Sequence, residues 1–152
     1  MLPTLRGRIE TRLFLIIVVG LPVTLLYALF VGGLPYDGGL LLMLLGVLLA
    51  LLVVGVILDP LYILIQRLRW DRDWPFAYQF FFSIIEFVIV LSLASLEWIP
   101  WLDEFAFQRG ETIRLASFHF AWVFLIGFVL LLGPLAVLFV RWRYKGGRFG
   151  RL

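Results

Sequence analysis

Four long apolar runs are the feature that most constrains how this chain can fold. They cover residues 13–31, 40–58, 76–97 and 115–141, and short charged or turn-forming segments separate them. About 20 mostly apolar residues suffice for a helix to cross the hydrocarbon core of a bilayer. The second run carries no charged side chain at all. The pattern predicts an all-α integral membrane protein with four transmembrane helices in an antiparallel bundle.

The composition agrees with that fold class and excludes several others. Hydrophobic residues make up 63 % of the chain and charged residues 15 %, against about one-quarter charged residues in soluble proteins. The chain has no cysteine and a single histidine, His119. Disulfide frameworks, thiol catalysis, thiolate metal sites and multi-histidine metal sites within one chain are therefore excluded.

We predict one membrane domain over residues 1–152, with an amphipathic interfacial extension at 60–70, an outer loop at 98–113 and a basic tail at 142–152. At Asp59–Pro60 either the second helix ends and a new one begins, or one long helix is kinked at the proline. In the extension, Leu61, Leu64, Ile65 and Leu68 share one face, and the polar residues Gln66, Arg67 and Arg69 lie opposite or beside it.

Two further local predictions concern the first helix and the outer loop. Gly20 and Pro22 predict a bend near the middle of the first run, because proline cannot donate to the carbonyl four residues earlier. Residues 100–109 predict a short surface helix whose lipid-facing side chains are Trp101, Leu102 and Phe105.

The distribution of basic residues predicts the orientation. Of the thirteen Lys and Arg residues, three precede the first run, three lie in the junction 59–75 and five lie at the C-terminal end, from Arg141 to Arg151. The two opposite loops carry only Arg109 and Arg114. Because an excess of Lys and Arg marks the cytoplasmic side, we predict a multi-pass protein of the plasma (inner) membrane with both termini in the cytoplasm.

Glu86 is the strongest candidate for intramembrane chemistry. It lies about 15 Å along its helix from Phe76, near the bilayer midplane, where a carboxylate requires a partner, water or a proton. Gln79 and Ser83 share its helix face. Three roles stay open for Glu86: a hydrogen bond that holds helices together, proton or cation handling, and contact with another subunit or cofactor. We predict as its neighbours Thr24, the carbonyl freed by Pro22, and Gly127.

His119 is the other candidate acid or base within a run. It lies about four residues into its run, so its level differs from that of Glu86 by roughly 9 Å and the two are not expected to pair. A hydrogen bond to a carbonyl or an outer-loop residue is the favoured role. No cofactor is predicted, although His119 remains a candidate ligand for a pigment, haem or quinone.

Two basic segments are candidate interaction surfaces on the cytoplasmic side. We expect both to contact anionic lipid headgroups or other protein subunits, and nucleic acid is disfavoured. The first, the cytoplasmic shelf, consists of Arg67, Arg69, Trp70, Asp71, Arg72, Asp73 and Trp74. The second, the basic tail, contributes Arg141, Arg143, Lys145, Arg148 and Arg151.

The sequence contains no metalloprotease, serine-hydrolase, nucleotide-loop or dinucleotide motif. By elimination we expect a non-enzymatic accessory or anchoring subunit of a larger membrane assembly. The alternative is a small homo-oligomeric transporter or channel in which Glu86 is the proton- or cation-responsive site.

Overall fold

A computed structural model describes residues 5–33, 38–68 and 76–135, and over these residues the fold is helical without strands. The four main helices are α1 (Leu5–Gly32), α2 (Gly38–Leu68), α3 (Phe76–Ser95) and α4 (Gly110–Leu132). All four are long and apolar enough to cross a membrane. The prediction of an all-helical chain with four candidate spans is confirmed, and the fold is compatible with a multi-pass membrane protein.

Helix α1 begins about two turns before the start of the first apolar run. Its first turns therefore contain Arg8 and Arg12, which we had placed before the membrane segment. The helix changes to π-helical geometry over Ile16–Gly20, directly before Pro22. Such a π segment accommodates the carbonyl that proline leaves without a donor, and it lies where the sequence predicted a bend.

Helix α2 continues through Pro60 as one helix of 31 residues, so no new helix begins at Asp59. The amphipathic pattern after Pro60 is present, but its polar side faces the protein. Tyr62 and Gln66 are buried at 3 % and 2 % exposure, whereas Leu61 and Leu64 are exposed. In lipid this arrangement is favourable, because the apolar face meets hydrocarbon and the polar face meets other polar groups.

The helices pack in the cyclic order α1, α2, α3, α4, with α4 also against α1 and α2 against α4. Helices α1 and α3 are not among the closely packed pairs. The apolar core lies towards the α3–α4 connection and includes Ala28, Met43, Leu44, Val47, Ala50, Phe87, Val90, Ala94, Leu102, Phe107 and Ala116.

The α3–α4 connection folds into the end of the bundle and does not form the predicted surface helix. It contains only a single 3-10 turn, Asp103–Phe105. Leu102 is fully buried, so the prediction that it faces lipid was wrong. The Trp101 indole Nε1 donates to the Gly46 carbonyl at 3.1 Å, and a Cβ on Gly46 would approach Leu102 Cδ2 to 2.7 Å. The absence of a side chain at Gly46 thus leaves room for the α3–α4 connection to pack against α2.

Candidate functional site

Three charged side chains from three helices meet inside the protein. Arg12 Nη1 donates to Glu86 Oε2 at 2.6 Å, and Arg12 Nη2 donates to Glu86 Oε1 at 2.9 Å and to Asp59 Oδ1 at 3.1 Å. The Arg12 side chain is 19 % exposed, that of Glu86 6 % and that of Asp59 0 %. We call Arg12, Asp59 and Glu86 the ion cluster.

The absence of a side chain at Gly55 leaves room for the guanidinium of Arg12. Gly55 lies one turn before Asp59 on α2, and a Cβ built on it would overlap the guanidinium of Arg12. The Arg12 side chain therefore lies directly against the α2 backbone while it reaches from α1 to Glu86 on α3. Because α1 and α3 do not pack closely, this long side chain makes the polar link between them.

A second layer of polar groups borders the ion cluster. Arg8 lies one turn before Arg12 on α1, and its Cζ is 6.0 Å from the ring centre of Tyr62, within the range of a cation–π contact. On α2, Asp59, Tyr62 and Gln66 recur at the spacing of one helix face and are all buried. Buried polar groups thus extend from the ion cluster towards the C-terminal end of α2.

The ion cluster stabilises the fold only while all three of its charged side chains are present. Burial of one ion costs several kcal/mol, so buried charges persist where opposite charges and hydrogen bonds surround them. The two-point contact of a guanidinium with a carboxylate also fixes orientation. Removal of Arg12 would leave two acidic side chains in a non-aqueous interior without their main counter-ion.

His119 belongs to a separate buried site. His119 is fully buried, and its Nε2 lies 2.8 Å from Thr24 Oγ1. The Thr24 hydroxyl donates to the Gly20 carbonyl at 2.7 Å, so its oxygen accepts from His119 Nε2–H and Nδ1 carries the lone pair. Nδ1 has no hydrogen-bond partner among the described residues. Tyr27 contacts the imidazole edge to face, with ring centres 5.5 Å apart.

The predicted contact between Glu86 and Thr24 was wrong. Thr24 is hydrogen-bonded to Gly20 and His119, and Glu86 is bonded to Arg12. The error follows from the position of α1, whose N-terminal turns lie inside the bundle and bring Arg12 to the level of Glu86. Ser83, on the same helix as Glu86, donates to the Gln79 carbonyl at 2.8 Å, and neither belongs to the ion cluster.

The remaining candidate residues fall mostly beyond the described ranges. Arg67 is exposed at the end of α2. The shelf residues Arg69, Trp70, Asp71, Arg72, Asp73 and Trp74, and the tail residues Arg141, Arg143, Lys145, Arg148 and Arg151, lie outside the described residues. Within the described ranges no group of three His, Asp or Glu side chains is placed to hold a metal ion.

Sequence reasoning missed Arg12, Asp59 and Gly55 as members of this site. From the sequence, Asp59 was considered only as a position where the second helix ends or continues, and Arg12 was counted only among the basic residues before the first run. The signal available in the sequence was the helical spacing of polar residues. Asp59, Tyr62 and Gln66 recur on one face of α2, and Arg8 and Arg12 lie one turn apart on α1. Where an amphipathic segment adjoins an uncharged run, its polar face can turn inward and form part of a buried polar site.

Comparison of the chain with protein-family models, with curated proteins and with solved structures found no match. The ion cluster and the surface of the helices therefore carry the functional inference.

Proposed function

We propose that this chain is a non-enzymatic accessory or anchoring subunit of a larger membrane assembly. The observation that carries the proposal is the internal pairing of its buried charges. Arg12 binds both Glu86 and Asp59 within one chain. These intramembrane charges hold helices together and leave the outer faces of the helices for contact with lipid and neighbouring proteins.

The surface of the four helices supports this proposal. Large apolar side chains are exposed on every helix, including Phe30 at 86 %, Ile57 at 68 %, Phe81 at 60 % and Trp122 at 53 %. Such faces pack equally well against lipid and against another transmembrane helix. The connections between the helices are short, so the chain offers partners mainly its helix faces, the α3–α4 connection and the cytoplasmic shelf.

The hydroxyl groups within the helices also favour a non-enzymatic role. Ser83, Ser92 and Ser117 each donate to a carbonyl one turn earlier in their own helix. A serine nucleophile requires a base within hydrogen-bond reach. The neighbouring Glu86 is instead occupied by Arg12, which supports a structural use of these polar groups.

In the proposed topology the four helices form an antiparallel bundle in the plasma membrane with both termini in the cytoplasm. The distribution of Lys and Arg supports this orientation. Arg12 then lies about 10 Å along α1 from Leu5 and Asp59 about 14 Å along α2 from Leu68. The ion cluster would occupy the cytoplasmic half of the membrane, below the shelf that begins at Arg67.

The alternative, a homo-oligomeric transporter or channel, requires Glu86 to line a path between copies. Glu86 is 4 % exposed in the single chain and both of its oxygens are bonded to Arg12. A path along Glu86 would first have to break this contact. The subunit proposal needs no such step, and for that reason we favour it.

Co-purification from native membranes tests the proposal. We expect a tagged full-length chain, extracted in mild detergent, to bring down the same polypeptides in fixed ratio, identified by mass spectrometry. A tagged four-span protein of another assembly is the control for non-specific capture.

A triple variant, Arg67→Gln, Arg69→Gln and Arg72→Gln, should lose these polypeptides while it retains its unfolding midpoint. Recovery of the wild-type chain alone, as a monomer or as a homo-oligomer, would contradict the proposal. Ion flux in liposomes that Glu86→Gln abolishes would favour the transporter.

A further inference from the structure

The two halves of α1 each make a buried polar contact with another helix. In the N-terminal half, Arg12 donates to Glu86 on α3 at 2.6 and 2.9 Å. In the C-terminal half, Thr24 lies 2.8 Å from His119 on α4, and Ala28, one turn later, is 1 % exposed. Helix α1 therefore turns side chains towards the interior of the bundle on both sides of its π segment.

A regular α-helix would not place Arg12 and Thr24 on one face. The two residues are twelve positions apart, and at about 3.6 residues per turn twelve residues make three full turns and about 120° more. With Arg12 directed inward, Thr24 would point to the side of α1 and would lose its contact with His119.

The π segment, Ile16–Gly20, corrects this offset. The Leu21 N–H donates to the Ile16 carbonyl, five residues earlier instead of four. Such a turn holds one residue more than an α turn, so the helix that follows it is rotated back by about 100°, the rotation of one residue. The offset between Arg12 and Thr24 falls from about 120° to about 20°.

The burial of the π segment agrees with this corrected phase. Val19 and Gly20 are buried, whereas Ile17 and Val18 are 58 % and 49 % exposed. A Cβ on Gly20 would lie 3.3 Å from Leu48 Cδ1 on α2. The inner side of the segment is therefore packed against α2, and only its outer side faces away from the bundle.

Proline by itself does not impose the π geometry, as the comparison with α2 shows. Helix α2 contains Pro60 and stays α-helical from Gly38 to Leu68, whereas α1 is π-helical directly before Pro22. Across its proline, α2 needs no correction of phase, because its buried residues keep intervals of three or four positions: Gly55, Asp59, Tyr62 and Gln66.

We propose that the π segment sets the phase of α1, so that Arg12 and Thr24 face the interior of the bundle at the same time. It thereby couples the ion cluster to the Thr24–His119 contact. If the segment became α-helical with all its residues retained, one half of α1 would rotate by about 100° against the other. One of the two contacts would then break, although neither contains a residue of the π segment.

A deletion and an insertion at one exposed position test the proposal. Both are made at Ile17 in a Pro22→Ala background, because a proline ring clashes with the preceding turn of a regular α-helix. Deletion of Ile17 leaves Arg12 and Thr24 eleven positions apart, an offset of about 20° in a regular α-helix, and we expect both contacts to persist. Insertion of an alanine after Ile17 brings the offset back to about 120° even with the π segment kept, and we expect one contact to break.

Each contact has its own readout in the full-length protein in lipid nanodiscs. His119 is the chain's only histidine, so the magnetic-resonance signals of its ring nitrogens report the contact with Thr24. Arg12→Ala reports the ion cluster, because it should lower the unfolding midpoint by several degrees only where Arg12 reaches Glu86. Pro22→Ala alone should keep the wild-type histidine signals and the effect of Arg12→Ala.

The deletion variant should match Pro22→Ala in both readouts, and the insertion variant should differ from it in at least one. A changed histidine signal or a lost effect of Arg12→Ala in the deletion variant would overturn the proposal. So would an insertion variant that keeps both contacts, and so would loss of either contact in Pro22→Ala itself.

Nitroxide scanning keeps the test independent of whether the altered helices fold. The chain has no cysteine, so single cysteines placed one at a time over residues 9–29 can carry a spin label. The accessibility of each label to oxygen dissolved in the bilayer should oscillate with a period of about 3.6 residues in both halves of α1, with the phase displaced by about 100° across the π segment. One unbroken phase would overturn the proposal. These outcomes do not depend on co-purification, so this proposal and the subunit proposal can fail separately.

Discussion

The two halves of the bundle are stabilised by different kinds of contact. Near the C-terminal end of α2, the ion cluster joins three helices through charge-assisted hydrogen bonds. Near the α3–α4 connection, fully buried apolar residues such as Leu44, Val90 and Leu102 fill the interior. In a membrane, an apolar side chain gains little by leaving lipid for protein, so packing fit decides its contribution. Hydrocarbon cannot replace the hydrogen bonds of the charged half, so those contacts are the more specific.

Loss of Arg12 should cause the largest effect. We expect Arg12→Ala to lower the free energy of unfolding by about 3–5 kcal/mol, because it leaves buried acids without their counter-ion. Reversible unfolding in mixed detergent measures the change. The control is Arg6→Ala, whose ion pair with Glu10 is exposed on the arginine side and should cost about 0.5 kcal/mol or less. Equal effects of the two variants would show that the buried ion cluster contributes no more to stability than an exposed ion pair.

Truncation in the apolar half should come next. Leu102→Ala removes a fully buried side chain that packs on Gly46, and we expect a loss of about 2–4 kcal/mol through the cavity it leaves. The same unfolding measurement applies. Leu96→Ala, at a position that is 61 % exposed, should change stability by about 0.5 kcal/mol or less. If Leu102→Ala were more damaging than Arg12→Ala, packing and not charge would dominate the fold.

A methyl group on Gly55 should damage the charged half specifically. We expect Gly55→Ala to cost about 1–3 kcal/mol, because its Cβ overlaps the Arg12 guanidinium. In an Arg12→Ala background the cost should disappear, which a double-mutant cycle measures. Gly127→Ala is the control, since a Cβ there meets open space and should be neutral or stabilise by up to about 1 kcal/mol. Additive costs for Gly55→Ala and Arg12→Ala would show that Gly55 acts elsewhere.

The polar pair of the apolar half should give the smallest effect. Thr24→Val removes the acceptor of His119 Nε2 and keeps the shape of the side chain, and we expect a loss of about 0.6–1.7 kcal/mol. Ser92→Ala is the control, because the Ser92 hydroxyl donates to the Val88 carbonyl of its own helix. A loss as large as that of Arg12→Ala would assign His119 a role in stability equal to that of the ion cluster.

The difference between the halves also explains what the sequence could predict. The four apolar helices follow from run length, and the burial of Glu86 follows from its depth within a run. Its partner did not follow, because α1 starts within a basic segment that hydropathy excludes from the span. The inward turn of Tyr62 and Gln66 was equally hidden, since an amphipathic pattern does not state which face meets the protein. The contact between Gly55 and the Arg12 guanidinium could not be predicted from the sequence, because it depends on where the Arg12 side chain lies.

The order of synthesis gives the ion cluster a consequence for biogenesis. Arg12 precedes Asp59 by 47 residues and Glu86 by 74 residues along the chain, so α1 is made well before either acid that neutralises it. Until then the position of lowest free energy for α1 leaves Arg8 and Arg12 at the water interface, where long cationic side chains extend to the headgroups. Helix α1 can therefore adopt its final depth only after α3 has emerged, and the bundle closes late, around its first helix.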